Sequence, residues 1–382
     1  MRPLNTSIER TLPFSSNRQL RRKFMIVDRQ IPGNMRWGRL LEHLDKLAED
    51  VALDYVHQFE PEARVVTAAV DDITLHVPGD ITGDVYLRAR INYVGRTSME
   101  VGIRVDQDKE AEHSLAACYF TMVARTGEGE EAESLPIPQL EYESVLEKER
   151  YQAAIERRKS YRRQIDALEE PPSKEEFHHL RELHQAQEED GFEGLLAGDL
   201  IRSSMERMYP DHENVPKKIF GGYVIRRAFE LALMHAEEIA PNRPVFVRVN
   251  RINFHQPIRI GDKLDFTSRI VYTGETSISI EIDIERTSLD KVTKALSNTC
   301  VFTFVNVDED MEPQPVPTVY PTTYAEDERY LKAYRRRKKK GRWNPPNNYA
   351  IQIPSPSGNV HFLVIVMSFL WSSFSIFIAE LR

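Results

Sequence analysis

The sequence predicts an α+β chain built from one domain repeated twice, each copy a long helix followed by an antiparallel sheet. Three observations carry this. The segment VDDITLHVP (70–78) matches VNRINFHQP (249–257) without a gap at an offset of 179, sharing Val, Ile, His and Pro. YVGRTSMEVGI (93–103) matches YTGETSISIEI (272–282) at the same offset, sharing Tyr, Gly, Thr, Ser and Ile. Either match alone is weak, but two at one offset predict a duplication. Third, each copy opens with apolar residues at helical spacing and continues in alternating stretches, as a helix covering one face of a sheet requires.

The elements follow in order. Leu40, Leu41, Leu44, Leu47, Ala48, Val51 and Ala52 form one apolar stripe, which predicts a helix from about Gly38. Period-two patterns predict strands over 84–93, 98–106 and 115–125. In the second copy a helix is predicted over 222–236 and strands over 246–254, 264–272 and 277–285. The last is the clearest, with Ile278, Ile280, Ile282 and Ile284 alternating with polar residues. Cys118 and Cys300 fall at corresponding places on the last strand of each copy and read as small buried hydrophobes. Between the copies, 21 of the 44 residues from 147 to 190 are charged, with both signs mixed. Ser173 and Glu176, after a Pro pair, have capping-box spacing, so this stretch reads as a helical connector with a solvated face. The expected division is an N-terminal segment 1–11, a first domain 12–136, a linker 137–196, a second domain 197–310, an extension 311–358 and an apolar tail 359–382.

Composition excludes several function classes. A length of 382 residues suits two domains with linkers, and a net charge of -8 argues against nucleic acid as a partner. Two cysteines allow neither a disulfide scaffold nor a cysteine zinc site, and the eleven histidines contain no HExxH, so no metal is expected. No P-loop, nucleophile elbow or dinucleotide fingerprint is present. The first 25 residues are basic, carrying Arg2, Arg10, Arg18, Arg21, Arg22 and Lys23 against Glu9, which fits a transit peptide or a mature segment. Residues 335–342 carry seven cations in eight positions, and 362–379 is an uncharged run of eighteen. As a helix that run would rise about 27 Å, enough to cross a bilayer core. Ser368, Ser372, Ser373 and Ser375 weaken a transmembrane reading, and an extension translated from non-coding sequence is preferred.

Chemistry is sought at the start of each long helix. The second copy reads NVPKKIFGG (214–222) there, and the Gly221-Gly222 pair leaves unpaired N–H groups that suit an anion or a developing oxyanion. The first copy reads GNMRWGRLLEHLD (33–45), with Trp37 in place of the first glycine and Asp45 seven residues after Gly38.

With these segments in hand, the repeated unit resembles the hotdog fold, a long central helix wrapped by an antiparallel sheet. The whole is similar to the mitochondrial double-hotdog acyl-CoA thioesterases of the 9/10 type. LPFSSNRQLRRKF, RWGRLLEHLD, GRTSMEV, FTMVAR, KIFGGYVIRRAFELA and the charged linker carry the likeness over about residues 12–330. It implies tandem hotdog domains forming an intramolecular pseudo-dimer and hydrolysis of fatty acyl-CoA to free fatty acid and CoA without a cofactor. It implies further association of chains into a homo-oligomer and a mitochondrial location. Because the family-like sequence begins at Leu12, the chain is expected to be shortened at its start. The alternative location is a tail-anchored membrane protein, with membrane contact only through the apolar tail.

The resemblance also assigns roles. Gly222 N–H would hold the oxyanion, Asp45 would act as general base or as nucleophile, and Asn214 would orient water or the acid. Gly221, Arg96 and Thr97 would contact substrate. The copies have lost opposite residues: Phe229 stands at the acid position of the second copy, with Glu230 beside it, and Gln30 stands where the first copy needs Asn. One composite site is therefore expected, pairing Asp45 with Asn214. The competing readings are a non-catalytic acyl-CoA-binding scaffold and a hotdog dehydratase or hydratase, which needs a histidine with its acid. His76 and His255, equivalent in both copies, read as structural, and the shared Gly-x-Thr-Ser segments as hairpin turns.

Overall fold

The computed structural model describes residues 1–340 except 72, 77, 78, 108, 110–113, 128–132, 216, 217 and 220, and omits the side chains of 212–220, 339 and 340. The first copy runs through β1 (Ile8–Leu12), α1 (Arg18–Lys23), α2 (Trp37–Val56), β2 (Arg64–Val70) and β3 (Ile73–Leu75). It continues through β4 (Val85–Val94), β5 (Ser98–Asp106), β6 (Ser114–Thr126) and β7 (Glu133–Ser134). Helices α3 (Val145–Glu169) and α4 (Lys174–Gln187) connect it to β8 (Leu195–Leu196), β9 (Ile201–Arg207), β10 (Glu213–Val215) and β11 (Lys218–Ile219). The second copy then runs through α5 (Gly221–Glu237), β12 (Arg243–Val249), β13 (Ile252–Asn253), β14 (Lys263–Thr273), β15 (Ser277–Thr287) and β16 (Lys294–Val307). Strand β17 (Val319–Tyr320) and α6 (Tyr324–Lys340) follow.

Each copy is a hotdog. The stripe predicted on α2 is buried throughout, from Leu40 to Ala52, against β2, β4, β5 and β6. Its counterpart α5 packs on β12, β14, β15 and β16, and Ile278, Ile280, Ile282 and Ile284 all face that core. At about 1.5–3 kcal/mol for each fully buried large aliphatic side chain, these faces outweigh any intrinsic helix or strand preference.

The two sheets are one. Strands run in the order β1-β4-β5-β6-β3-β12-β16-β15-β14-β9, with β2 paired to both β6 and β13. The first repeated motif is the seam between the copies. Val249 pairs with Ile73, and Val70 pairs with Ile252, so the same two positions meet reciprocally across a pseudo-twofold axis. The edge strands β1 and β9 extend the sheet at its two ends, on β4 and β14. Neither edge strand was read from the sequence.

The connector and the last helix cover the outer sheet faces. Glu100, on the face of β5 opposite Met99 and Val101, is paired by Arg157 of α3, whose guanidinium lies 3.6 Å from the Tyr119 ring centroid. On the second copy Glu281 is paired by Arg329 of α6, and Tyr272, Tyr330 and Leu331 bury a small cluster with Leu180 and Leu183 of α4. Ser173 begins α4 as a capping box: its Oγ accepts from Glu176 N at 3.2 Å, and its own N–H donates to the Glu176 carboxylate at 2.8 Å.

The transmembrane expectation is corrected. No helix among the described residues is long and apolar enough to cross a membrane. Residues 362–379, on which the expectation rested, lie outside the described residues. Of the cations in 335–342, Arg335 pairs with Glu176 and donates to carbonyls at the end of α3, and Arg337 donates to Tyr272.

Candidate active site

Helices α2 and α5 lie against each other in opposite directions, so the start of each meets the middle of the other. Asp45, on the third turn of α2 and with no exposed surface, reaches the start of α5, where Gly222 N–H donates to its Oδ2 at 2.6 Å. Thr67 on β2 donates its hydroxyl to Oδ1 at 2.6 Å. Gly221 completes this end: a methyl group there would lie 3.1 Å from the Phe254 ring and 3.3 Å from Asp45 Oδ2. The first copy thus contributes Asp45 and Thr67, and the second Gly221, Gly222 and Phe254.

Burial pushes the Asp45 carboxyl up to about 6, because a carboxylate removed from water loses its hydration. The Thr67 and Gly222 hydrogen bonds oppose this, as does Lys46, while Glu49 adds to it. The result is a carboxylate that is ionised near neutral pH yet basic enough to accept a proton, as general-base work requires. The N–H that the sequence assigns to the oxyanion is bonded here to the acid itself. A substrate carbonyl can use it only by replacing Asp45 Oδ2.

The pseudo-symmetric counterpart is filled by rings. The helices align at an offset of 184, which puts Gly38 opposite Phe229 as Gly222 is opposite Asp45. A methyl group on Gly38 would lie 3.0 Å from Phe229 Cδ1. Phe246 occupies the place of Thr67 at the strand offset of 179, and Trp37 that of Gly221. The Phe229 and Phe246 rings meet edge to face at 5.1 Å, Trp37 packs on Phe246 at 5.9 Å, and Phe302 and Phe304 close the cluster. At this end a phenylalanine ring takes the place of the acid, and its aromatic neighbours pack around it. Thr67 was missed by the sequence reading. Its signal was available in the comparison of 64–70 with 243–249, where Thr67 faces Phe246 just as Asp45 is matched by Phe229.

The remaining expectations fall as follows. The Asn214 side chain lies outside the described residues; its backbone is in β10. Arg96 and Thr97 sit on the β4–β5 hairpin, where their carbonyls accept from Ile137 and Ala124, and their recorded contacts do not run to Asp45. Gln30 is exposed, and the nearby buried amide is Asn34, which ties the loop through Ile26, Val27 and Arg29. Glu230 does not substitute for the missing acid; it pairs with Arg36, Arg226 and Arg227. Both cysteines are fully buried, and burial pushes the Cys118 thiol up to about 12, so it stays protonated. Among the described residues no group of three or more His, Cys, Asp or Glu side chains could hold a metal.

A cavity of about 650 Å³ lies elsewhere, between the end of α3, α6 and the outer face of the second sheet. Its charges are largely spent on protein: Arg251 on Asp71, Lys332 on Glu169 and Glu328, Arg335 on Glu176. The candidate site is therefore the buried carboxylate between the helices, where among the described residues Asp45 has only Thr67 and a backbone N–H as hydrogen-bond partners.

Comparison with known proteins bears on the family. The family model described as Thioesterase superfamily matches residues 44–113 and 218–293, once in each copy. The chain is 30% identical over 350 residues to "Acyl-coenzyme A thioesterase 9, mitochondrial" of Homo sapiens, covering 86% of this chain and 76% of that protein. It is 29% identical over 349 residues to "Acyl-coenzyme A thioesterase 10, mitochondrial" of Mus musculus, with the same coverage. Among solved structures, an acyl-CoA hydrolase from Bacillus cereus is 25% identical, covering 39% of this chain and 90% of its own, with a TM-score of 0.37. The chain belongs to the thioesterase superfamily, in the family of the acyl-coenzyme A thioesterases 9 and 10.

Proposed function

We infer that this chain hydrolyses fatty acyl-CoA to free fatty acid and CoA at one composite site between its two hotdog domains. The observation that carries the reading is a buried carboxylate of one copy bonded to the helix N-terminus of the other, while the mirror position is filled by Phe229. Asp45 acts as general base: it takes a proton from water, the water oxygen bonds the thioester carbonyl carbon, the C–S bond breaks, and the thiolate leaves and is protonated. The positive end of α5, at Gly221 and Gly222, stabilises the charge that develops on the carbonyl oxygen; one such donor is worth about 3 kcal/mol. Asn214 orients the water. Arg96 and Thr97 are assigned to the CoA portion by the family resemblance alone.

The dehydratase reading fits less well, because the recorded hydrogen-bond partners of Asp45 are a threonine and a backbone N–H, with no imidazole. Association of whole chains into a homo-oligomer belongs to the same reading and leaves the site unchanged, since both halves lie in one chain. The relatives' names point to the mitochondrion as the compartment. A panel of acyl-CoAs of increasing chain length, assayed for release of free CoA thiol, tests the function. Release is expected for at least part of the panel; binding throughout without release would leave a scaffold protein. Single turnover in ¹⁸O-labelled water probes the base role: label in the fatty acid and none in Asp45 is expected, and label in Asp45 would show a covalent intermediate instead.

A further inference from the structure

The interface between α2 and α5 has charged residues where its geometry is most demanding. Under the offset that equates Gly38 with Gly222, Glu42 is equivalent to Arg226. These two positions face each other across the pseudo-twofold axis, midway between the Asp45–Gly222 contact and the Gly38–Phe229 contact. In a symmetric dimer of identical hotdogs a position on the axis faces its own copy, glutamate against glutamate or arginine against arginine. Duplication removed that restriction, and the chain places opposite charges there. Arg226 Nε lies 3.0 Å from Glu42 Oε2, although its N–H is not aimed along that line. Glu42 also accepts from Arg39 at 2.8 Å. Arg226 continues to Glu230 at 3.5 Å, and Glu230 pairs with Arg36 before α2 and with Arg227 at 3.2 Å. Arg227 binds Glu206 of β9 at 2.7 Å, and Glu206 also accepts from the Tyr223 hydroxyl, on the residue that follows Gly222. The chain of pairs thus runs from the helix of the acid, across the axis, to the first turn of the helix that holds it.

We propose that Glu42 and Arg226 are positioning residues that set α2 against α5 so that Asp45 meets the Gly222 N–H. The proposal rests on the reading of Asp45 as the base. Asp45 is one turn from Glu42, and Gly222 is one turn from Arg226, so a slide of either helix changes a 2.6 Å contact at once. Half-buried pairs of this kind add little net stability but fix register, because a misaligned helix leaves each charge without its partner.

A double-mutant cycle in the full chain tests this, using Glu42→Gln, Arg226→Gln and both together, with Asp45→Asn as reference. Each single change is expected to lower kcat about tenfold with KM within about twofold, and the double change to lower it no further than either single. The acidic limb of kcat/KM should move to higher pH in all three, because the carboxylate loses its bond to Gly222. The other groups facing it, Thr67 on β2 and Lys46 and Glu49 on α2, are unchanged. Arg226→Lys should recover most of the rate. Additive losses, or an unchanged kcat and pH limb with only a lower melting temperature, would overturn the proposal. An active Asp45→Asn would instead remove the reading on which it rests.

Discussion

A buried carboxylate costs stability, and at Asp45 the direction of that cost is testable. Its folded value, about 6, lies above the unfolded value of 3.8. Below pH 3.8 both states hold the proton and nothing is lost. Between the two values the unfolded chain releases a proton that the folded chain keeps, so stability falls as pH rises. Above about pH 6 the cost is constant, at most about 3 kcal/mol for a shift of this size. Asp45→Asn removes the charge and keeps an acceptor for Gly222, so it should be about 1–3 kcal/mol more stable than wild type at pH 8 and equal to it near pH 3.5. Denaturant melts at the two pH values check this, and a variant less stable at pH 8 would mean that the carboxylate is not desolvated. The sequence offers Asp45 seven residues after Gly38, and the family resemblance assigns it the role of the acid. Thr67 was missed because its signal lies in aligning 64–70 with 243–249, and its hydroxyl meets Asp45 only when β2 closes over α2.

The helix pair that brings the two copies together depends on small residues at its contacts. Gly38 lets α2 approach the Phe229 ring, which Phe246, Phe302 and Phe304 hold in place. Gly38→Ala gains helix propensity, but its methyl meets a ring that cannot yield, so a net loss of about 1–3 kcal/mol is expected. Phe229→Leu in the same chain should recover part of it, and thermal melts of the singles and the double decide. Helices α2 and α5 were legible because a wide apolar stripe repeats at 3.6 residues, and β15 because four isoleucines alternate. The edge strands were not. Ile8–Leu12 and Ile201–Arg207 bury few side chains and are strands because β4 and β14 offer them unpaired backbone groups. The same holds for α6, whose cations conceal the one face, Tyr330, Leu331 and Ala333, that packs on the second sheet.

At the level of the whole molecule, the two ends of the pseudo-symmetric helix interface differ, one carrying a buried acid and the other filled by rings. The seam was legible as the repeated motif, but its reciprocal register at Val70 and Ile73 appears only in the sheet. The transmembrane expectation rested on residues 362–379, outside the described residues, and no helix among the described residues is long and apolar enough to cross a membrane. Because one end alone carries the acid, Asn214→Ala should reduce hydrolysis at least tenfold and Gln30→Ala should leave it within about twofold. Equal losses would mean that two sites operate. The central claim, that the chain's thioesterase activity runs through one carboxylate shared between the copies, is tested most directly by the turnover of Asp45→Asn in the full chain. A fall of at least about a hundredfold, with fold and CoA binding retained, is predicted. Turnover within threefold of wild type would contradict it.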